Sequence, residues 1–100
     1  MFIHHVFFWL KEELSQQDVQ KFETAVQSLL SIEHLTAGDV GKPAKTARPV
    51  IDSSYSYSLL LQFMNEAKHD AYQVDPIHTK FVNDCSSLWS KVLIYDSESI

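Results

Sequence analysis

The chain predicts an α+β fold with the element order β-α-β-β-α-β around an antiparallel four-stranded sheet, and three observations carry that expectation. Phe2 to Leu10 (FIHHVFFWL) is too short for a standard helix and rich in aromatic and branched residues, which reads as a strand. Val19, Phe22, Val26, Leu29 and Leu30 recur at helical spacing behind a serine cap. Ser54 to Met64 (SYSYSLLLQFM) begins with strict alternation and runs into a second helical stretch that breaks at Asp75-Pro76.

Taken in order, the first strand is apolar on both faces. Phe2, His4, Val6, Phe8 and Leu10 line one side, and Ile3, His5, Phe7 and Trp9 the other, so both sides must be covered. Ser15 suits an N-cap, with Asp18 three residues on, and predicts an amphipathic helix over residues 16 to 32. Thr36 to Val40 reads as a short second strand. The following Gly41-Lys-Pro-Ala-Lys-Thr-Ala-Arg-Pro49 reads as a long loop that carries the basic cluster Lys42, Lys45 and Arg48. In the third strand, Tyr55, Tyr57, Leu59, Leu61 and Phe63 share a side. Asn65 caps a helix that runs to about Gln73, and a helix resumes after the break with Ile77, Phe81, Cys85 and Leu88 on its apolar stripe. Val92 to Tyr95 closes as the last strand.

This order is the split βαβ pattern of a ferredoxin-like fold, whose helices cover only one face of the sheet. Phe7, Trp9, Tyr57 and the Leu59-Leu60-Leu61 run imply that the second face is dry as well. A second copy of the same sheet is the simplest cover, which predicts a homodimer through the sheet faces, closed as a dimeric α+β barrel.

The most informative stretch is Tyr72-Gln-Val-Asp-Pro-Ile-His78. Asp75 is a good N-cap, and Pro76 suits the first helical position, where its missing amide has no intrahelical partner anyway. His78 falls in the first turn, where the positive end of the helix dipole disfavours imidazolium. A neutral imidazole can accept a proton near pH 7. Tyr72 lies before the bend, so the turn at Val74-Asp75 can aim both rings at one place. The simpler alternative is a helix break whose tyrosine and histidine only pack.

Composition excludes several classes. One hundred residues make a single domain, 1–100, which on its own buries roughly two-thirds of its unfolded surface. A formal charge of −5 argues against a nucleic-acid partner. A single cysteine, Cys85, forms no internal disulfide and falls on the stripe with Phe81 and Leu88, so it is expected in the core. The start, Met1 to Leu10, lacks the basic opening of a cleavable leader, and no apolar stretch approaches the roughly twenty residues of a membrane span. A cytoplasmic location follows as the default. His4 and His5 point to opposite faces and cannot grip one metal together, His34 and His69 are expected on helix ends or surfaces, and no metal or cofactor spacing is present. Lys42, Lys45 and Arg48 can form an anion-binding rim or simply a solvated loop.

The start His5-Val-Phe-Phe-Trp-Leu-Lys11, the strand Tyr55-Ser-Tyr57, the Tyr72 to His78 segment with Phe81-Val82, and the end Leu88-Trp89-Ser-Lys-Val-Leu-Ile-Tyr-Asp96 together resemble the stress-responsive A/B barrel domain over essentially the whole chain. The resemblance implies a dimeric α+β barrel, with no assigned activity in most members. In plant polyketide cyclases of that family, the tyrosine and histidine that match Tyr72 and His78 do acid/base work on a bound polyketide. A histidine matching His5 lies nearby, and Tyr57 stands where those cyclases have another histidine. On this pattern His5, Tyr57, Tyr72 and His78 would converge on a cavity behind the sheet. His78 would remove a proton beside a carbonyl, and Tyr72 would hydrogen-bond the oxyanion. Trp9, Leu59 and Trp89 would line a site for a small apolar or aromatic molecule, although the two tryptophans also read as packing anchors. The competing class is a dimeric module that binds such a molecule without turnover. A cofactor-free monooxygenase is a lesser alternative by fold analogy.

Overall fold

In the computed structural model, which describes residues 1–100, the chain runs β1 (Phe2–Leu10), α1 (Gln16–Ser28), β2 (Ala37–Gly41), β3 (Tyr57–Phe63), α2 (Glu66–Gln73), α3 (Pro76–Cys85) and β4 (Trp89–Glu98). Tight 3-10 turns at Leu29–Ser31 and Ser86–Leu88 finish α1 and α3. The sheet order is β2-β3-β1-β4 with every neighbouring pair antiparallel, the ferredoxin-like arrangement.

Local chemistry places the helices. The Ser15 hydroxyl accepts from the Asp18 amide at 3.1 Å and starts α1, and the Asn65 side chain accepts from the Lys68 amide at 3.0 Å and starts α2. Phe22 and Val26 turn inward from α1, Tyr72 from α2, and Phe81 and Cys85 from α3. They meet Phe2, Val6 and Phe8 of β1 and Tyr57, Leu59, Leu61 and Phe63 of β3 in one core. The exposed strand β2 packs close because its Gly38 lacks a side chain. A Cβ there would stand 2.8 Å from Leu30 Cδ2 and 3.0 Å from Leu61 Cδ2.

The structure departs from the sequence-based elements in ways that matter. The α-helix expected over 16 to 32 ends at Ser28 and tightens into the 3-10 turn, which swings Leu29 fully into the core. The last strand is longer than Val92 to Tyr95, because β4 pairs along the whole of β1. The third strand starts at Tyr57, not Ser54, and Tyr55 lies outside the ladder, with its ring 4.9 Å from that of Phe7. Tyr57 and Leu59 sit under the helices and not on the second face, because the register sets Tyr57 opposite Phe8 and Leu59 opposite Val6. The second face is made by Ile3, His5, Phe7 and Trp9 with Leu60, Leu93 and Tyr95 from the flanking strands. The loop after β2 returns to this side, where the Trp9 indole donates to Ser54 Oγ at 3.1 Å. Of the basic cluster, Lys42 is taken up by Glu23, 3.3 Å away.

Candidate functional site

The break between α2 and α3 builds one end of the molecule. The Asp75 carboxylate accepts from the Ile77 amide at 2.8 Å, its carbonyl accepts from Thr79 at 3.0 Å, and Pro76 occupies the first turn. Chain direction therefore changes over Val74-Asp75, and the Tyr72 and His78 rings meet edge to face with centroids 4.8 Å apart.

Five further side chains close around this pair. His4, on the helix-facing side of β1, places its ring 6.0 Å from that of Tyr72 and 4.8 Å from that of His69, which descends from α2. Phe2 stacks on His69 at 4.5 Å, and Phe63 packs on Tyr72 at 5.3 Å. Asp96 lies opposite His4 in the β1–β4 register, and His4 Nδ1 is 2.5 Å from Asp96 Oδ1. With the carboxylate as acceptor, Nδ1 carries the proton and Nε2 keeps the lone pair.

Burial favours the neutral forms of His4, His78 and Tyr72. Burial pushes the His4 imidazole below its ordinary value, against the hydrogen bond and charge of Asp96, which pull it up. Burial also lowers His78, with the Gln73 backbone carbonyl acting in the opposite sense. The Tyr72 hydroxyl is pushed well up by burial. Tyr72 is 1% exposed, yet its hydroxyl has no hydrogen-bond partner in the protein, and no buried side-chain nitrogen or oxygen lacks one. The hydroxyl oxygen is therefore the point at which this tyrosine reaches solvent.

These directions set a pH dependence. The unfolded chain takes up protons on both imidazoles near 6.5, whereas the folded chain does so lower, so their contribution is complete above about pH 7 and is lost as pH falls through 6.5. Thermal melts between about pH 7.5 and 5.5 are expected to show a falling Tm, and His78→Gln is expected to flatten that fall. A wild-type Tm that holds or rises on acidification would show that the rings become charged without cost.

The four polar side chains expected to converge do not all do so. Tyr72 and His78 come together, but His5 projects from the opposite face of β1, where its ring packs on Phe7 at 4.3 Å. The reason is strand parity, and its neighbour His4 takes the place beside Tyr72. Tyr57 lies opposite Phe8, four residues along β1 from His4 and so about 13 Å away at ~3.3 Å per residue. It donates its hydroxyl proton to Glu23 and packs on Phe22. Trp89 packs at that same far end, 5.1 Å from Phe8 and 5.8 Å from Phe81. Leu59 is core, and Trp9 belongs to the open sheet face. His69, expected at a surface, is inside the cluster, and Asp96 was not expected at all. The ligand-forming atoms of His4, His69 and Asp96 lie within 4.8 Å of one another, a set able to hold a metal. Clefts lie elsewhere too, among them a groove of about 690 Å³ between α1 and α3 and a small hollow of about 130 Å³ on the open face between Phe7, Trp9, Tyr55 and Tyr95.

A model of the stress-responsive A/B barrel domain, Dabb, matches residues 2–99. The chain belongs to this family. Solved structures agree with the Dabb fold. A Dabb protein with a ferredoxin-like fold from Mesorhizobium loti is 25% identical, with a TM-score of 0.79 over 99% of this chain and 96% of its own. A dimeric ferredoxin-like protein of unknown function from Thermobifida fusca is 16% identical, with a TM-score of 0.78 over 98% of this chain and 90% of its own. The hydroxynitrile lyase of Passiflora edulis is 16% identical, with a TM-score of 0.77 over 99% of this chain and 95% of its own. The same fold thus serves a hydroxynitrile lyase and a protein of unknown function. No curated protein matches the chain. None of the helices of this Dabb domain is long and apolar enough to cross a membrane.

Proposed function

We propose that this Dabb chain is a homodimeric module, joined through its open sheet faces, that binds a small aromatic molecule bearing a hydrogen-bonding oxygen at the Tyr72 and His78 end. The observation that supports this is the Tyr72 hydroxyl. A ring otherwise removed from water presents an unpaired donor, and the rings of His4, Phe63 and His78 pack about that tyrosine. A carbonyl or phenol oxygen is the group it suits.

A second reading, cofactor-free acid/base catalysis, draws support from the His4–Asp96 hydrogen bond. It leaves a lone pair on Nε2 beside a donor able to stabilise an enolate, and His78 supplies another neutral base. Enolisation and ring closure are the reactions such a pair serves, and oxidation of an aromatic substrate has less support.

One experiment separates the readings. 2,4-Dihydroxyacetophenone is titrated into the protein in D₂O, with amide shifts reporting binding and the methyl signal reporting exchange. Saturable shifts of residues around Tyr72, weakened about tenfold by Tyr72→Phe, with methyl exchange at the buffer rate, support the binding module. Exchange faster than buffer and lost in His78→Ala supports the enzyme. Tyr72→Phe and His78→Ala proteins that behave as wild type in both readouts would remove the site.

A further inference from the structure

The geometry points to a divalent transition-metal site formed by His4, His69 and Asp96 at the edge of the Tyr72 cluster, with zinc as the ion its donor set suits. The three residues come from β1, α2 and β4, and their ligand atoms already lie within 4.8 Å of one another. A tetrahedral ion binds such atoms at about 2.0–2.2 Å, which sets them roughly 3.3 Å apart. The His4 to Asp96 contact of 2.5 Å must open slightly while the wider separations close by an ångström or so, within reach of side-chain rotation. Two imidazoles with one carboxylate favour zinc and its neighbours over magnesium or calcium, which take oxygen ligands.

The surroundings fit ligation in two respects. The side chains of His4 and His69 are 4% and 12% exposed, whereas that of Asp96 is 41% exposed, so two ligands are held rigidly and the third faces the entry path and a water in the fourth position. His69 has its own orienting partners, with Asp70 Oδ1 3.1 Å from Nδ1 and the Gln73 side-chain nitrogen 3.1 Å from Nε2. With the carboxylate as acceptor, Nδ1 carries the proton and Nε2 the lone pair, which accepts from the Gln73 amide, so an ion at Nε2 displaces that amide. A carboxylate behind a histidine is the support that metal-bound imidazoles use.

Binding has a consequence for the neighbouring cluster. In the metal-free protein His4 carries its proton on Nδ1, toward Asp96. An ion on Nδ1 displaces that proton, and neutral His4 then carries its proton on Nε2. His4 thereby changes from an acceptor to a donor on its inner side. The metal would set the hydrogen-bonding sense of the site without touching Tyr72 or His78, and the inference stands whether or not that site turns over a substrate.

The test is calorimetric titration of the full-length, metal-free protein with zinc chloride, and separately with magnesium chloride. Expected are one zinc per chain, a Kd at least tenfold weaker in each of Asp96→Asn and His69→Gln, no change in His34→Gln, and no magnesium heat. Asp96→Asn keeps an acceptor for His4, so its melting temperature should match wild type even if His69→Gln proves unstable. Imidazole ¹⁵N spectra supply a second readout, in which zinc should move the His4 proton from Nδ1 to Nε2. Zinc affinity unchanged in Asp96→Asn, or loss of binding in His34→Gln, would assign the metal to surface histidines and overturn the proposal. A His4 ring that keeps its Nδ1 proton at saturation would overturn it too.

Discussion

Replacing Phe22 with alanine is expected to remove about 3–5 kcal/mol of stability. Phe22 is fully buried and stands where α1, α3 and the sheet meet, with ring centroids 5.2 Å from Phe8, 5.1 Å from Tyr57 and 6.0 Å from Phe81. Removing it takes away an aromatic transfer energy and leaves a cavity ringed by side chains from separate elements, which cannot all relax inward together. Domains of this size have about 5–15 kcal/mol in total, so the variant would lose a large fraction of it. Urea denaturation followed by far-UV circular dichroism measures the loss. Protein concentration must be held constant, because an associating chain gains stability by mass action. A loss below about 1.5 kcal/mol would show that Tyr57 and Phe81 collapse into the space and that the cluster is less tightly determined than its ring geometry indicates.

Phe7→Asp is expected to turn the protein into a folded monomer. Phe7 is central on the open sheet face, 4.3 Å from the His5 ring, 4.9 Å from Tyr55 and 6.2 Å from Tyr95. On the proposed dimer this face meets its own copy, so a two-fold interface carries the substitution twice. A central aromatic contributes about 2 kcal/mol or more. Two such losses, with two desolvated carboxylates added, weaken association by about a thousandfold or more. Sedimentation velocity across a range of concentrations reads the change, and circular dichroism checks that the fold survives. A variant that remains dimeric at the wild-type concentration would move the interface elsewhere, with the groove between α1 and α3 the next surface to examine.

Legibility in the sequence followed the range of the forces involved. Ser15, Asn65 and Asp75-Pro76 act on amides within three or four residues, so the helix starts they mark are where the sequence places them. The meeting of Tyr72 and His78 is equally local, since a single turn separates them. The choice between His4 and His5 was not available in that way. In a strand of nine residues with Phe2, Val6 and Phe8 on one side and Ile3, Phe7 and Trp9 on the other, hydrophobicity does not say which side the helices cover. A signal existed in β3, where Ser58 and Gln62 mark the less buried parity, but it reaches β1 only through the register between the two strands.

The sequence by itself determined the order of elements, their caps, the helix break and the need for a cover on both sides of the sheet, because each of these rests on contacts between near neighbours or on periodicity within one segment. Tertiary structure alone decided which residues share the site. Pairing of His4 with Leu61 on one side and Asp96 on the other selects His4 over His5, moves Tyr57 to the far end, and brings in His69 and Asp96 from segments distant in sequence. The physical reason is that a strand's side chains alternate with a period of two. A shift of one residue in register would exchange every inward side chain for an outward one, and only the assembled sheet, packed against its helices, makes one of those registers lower in free energy.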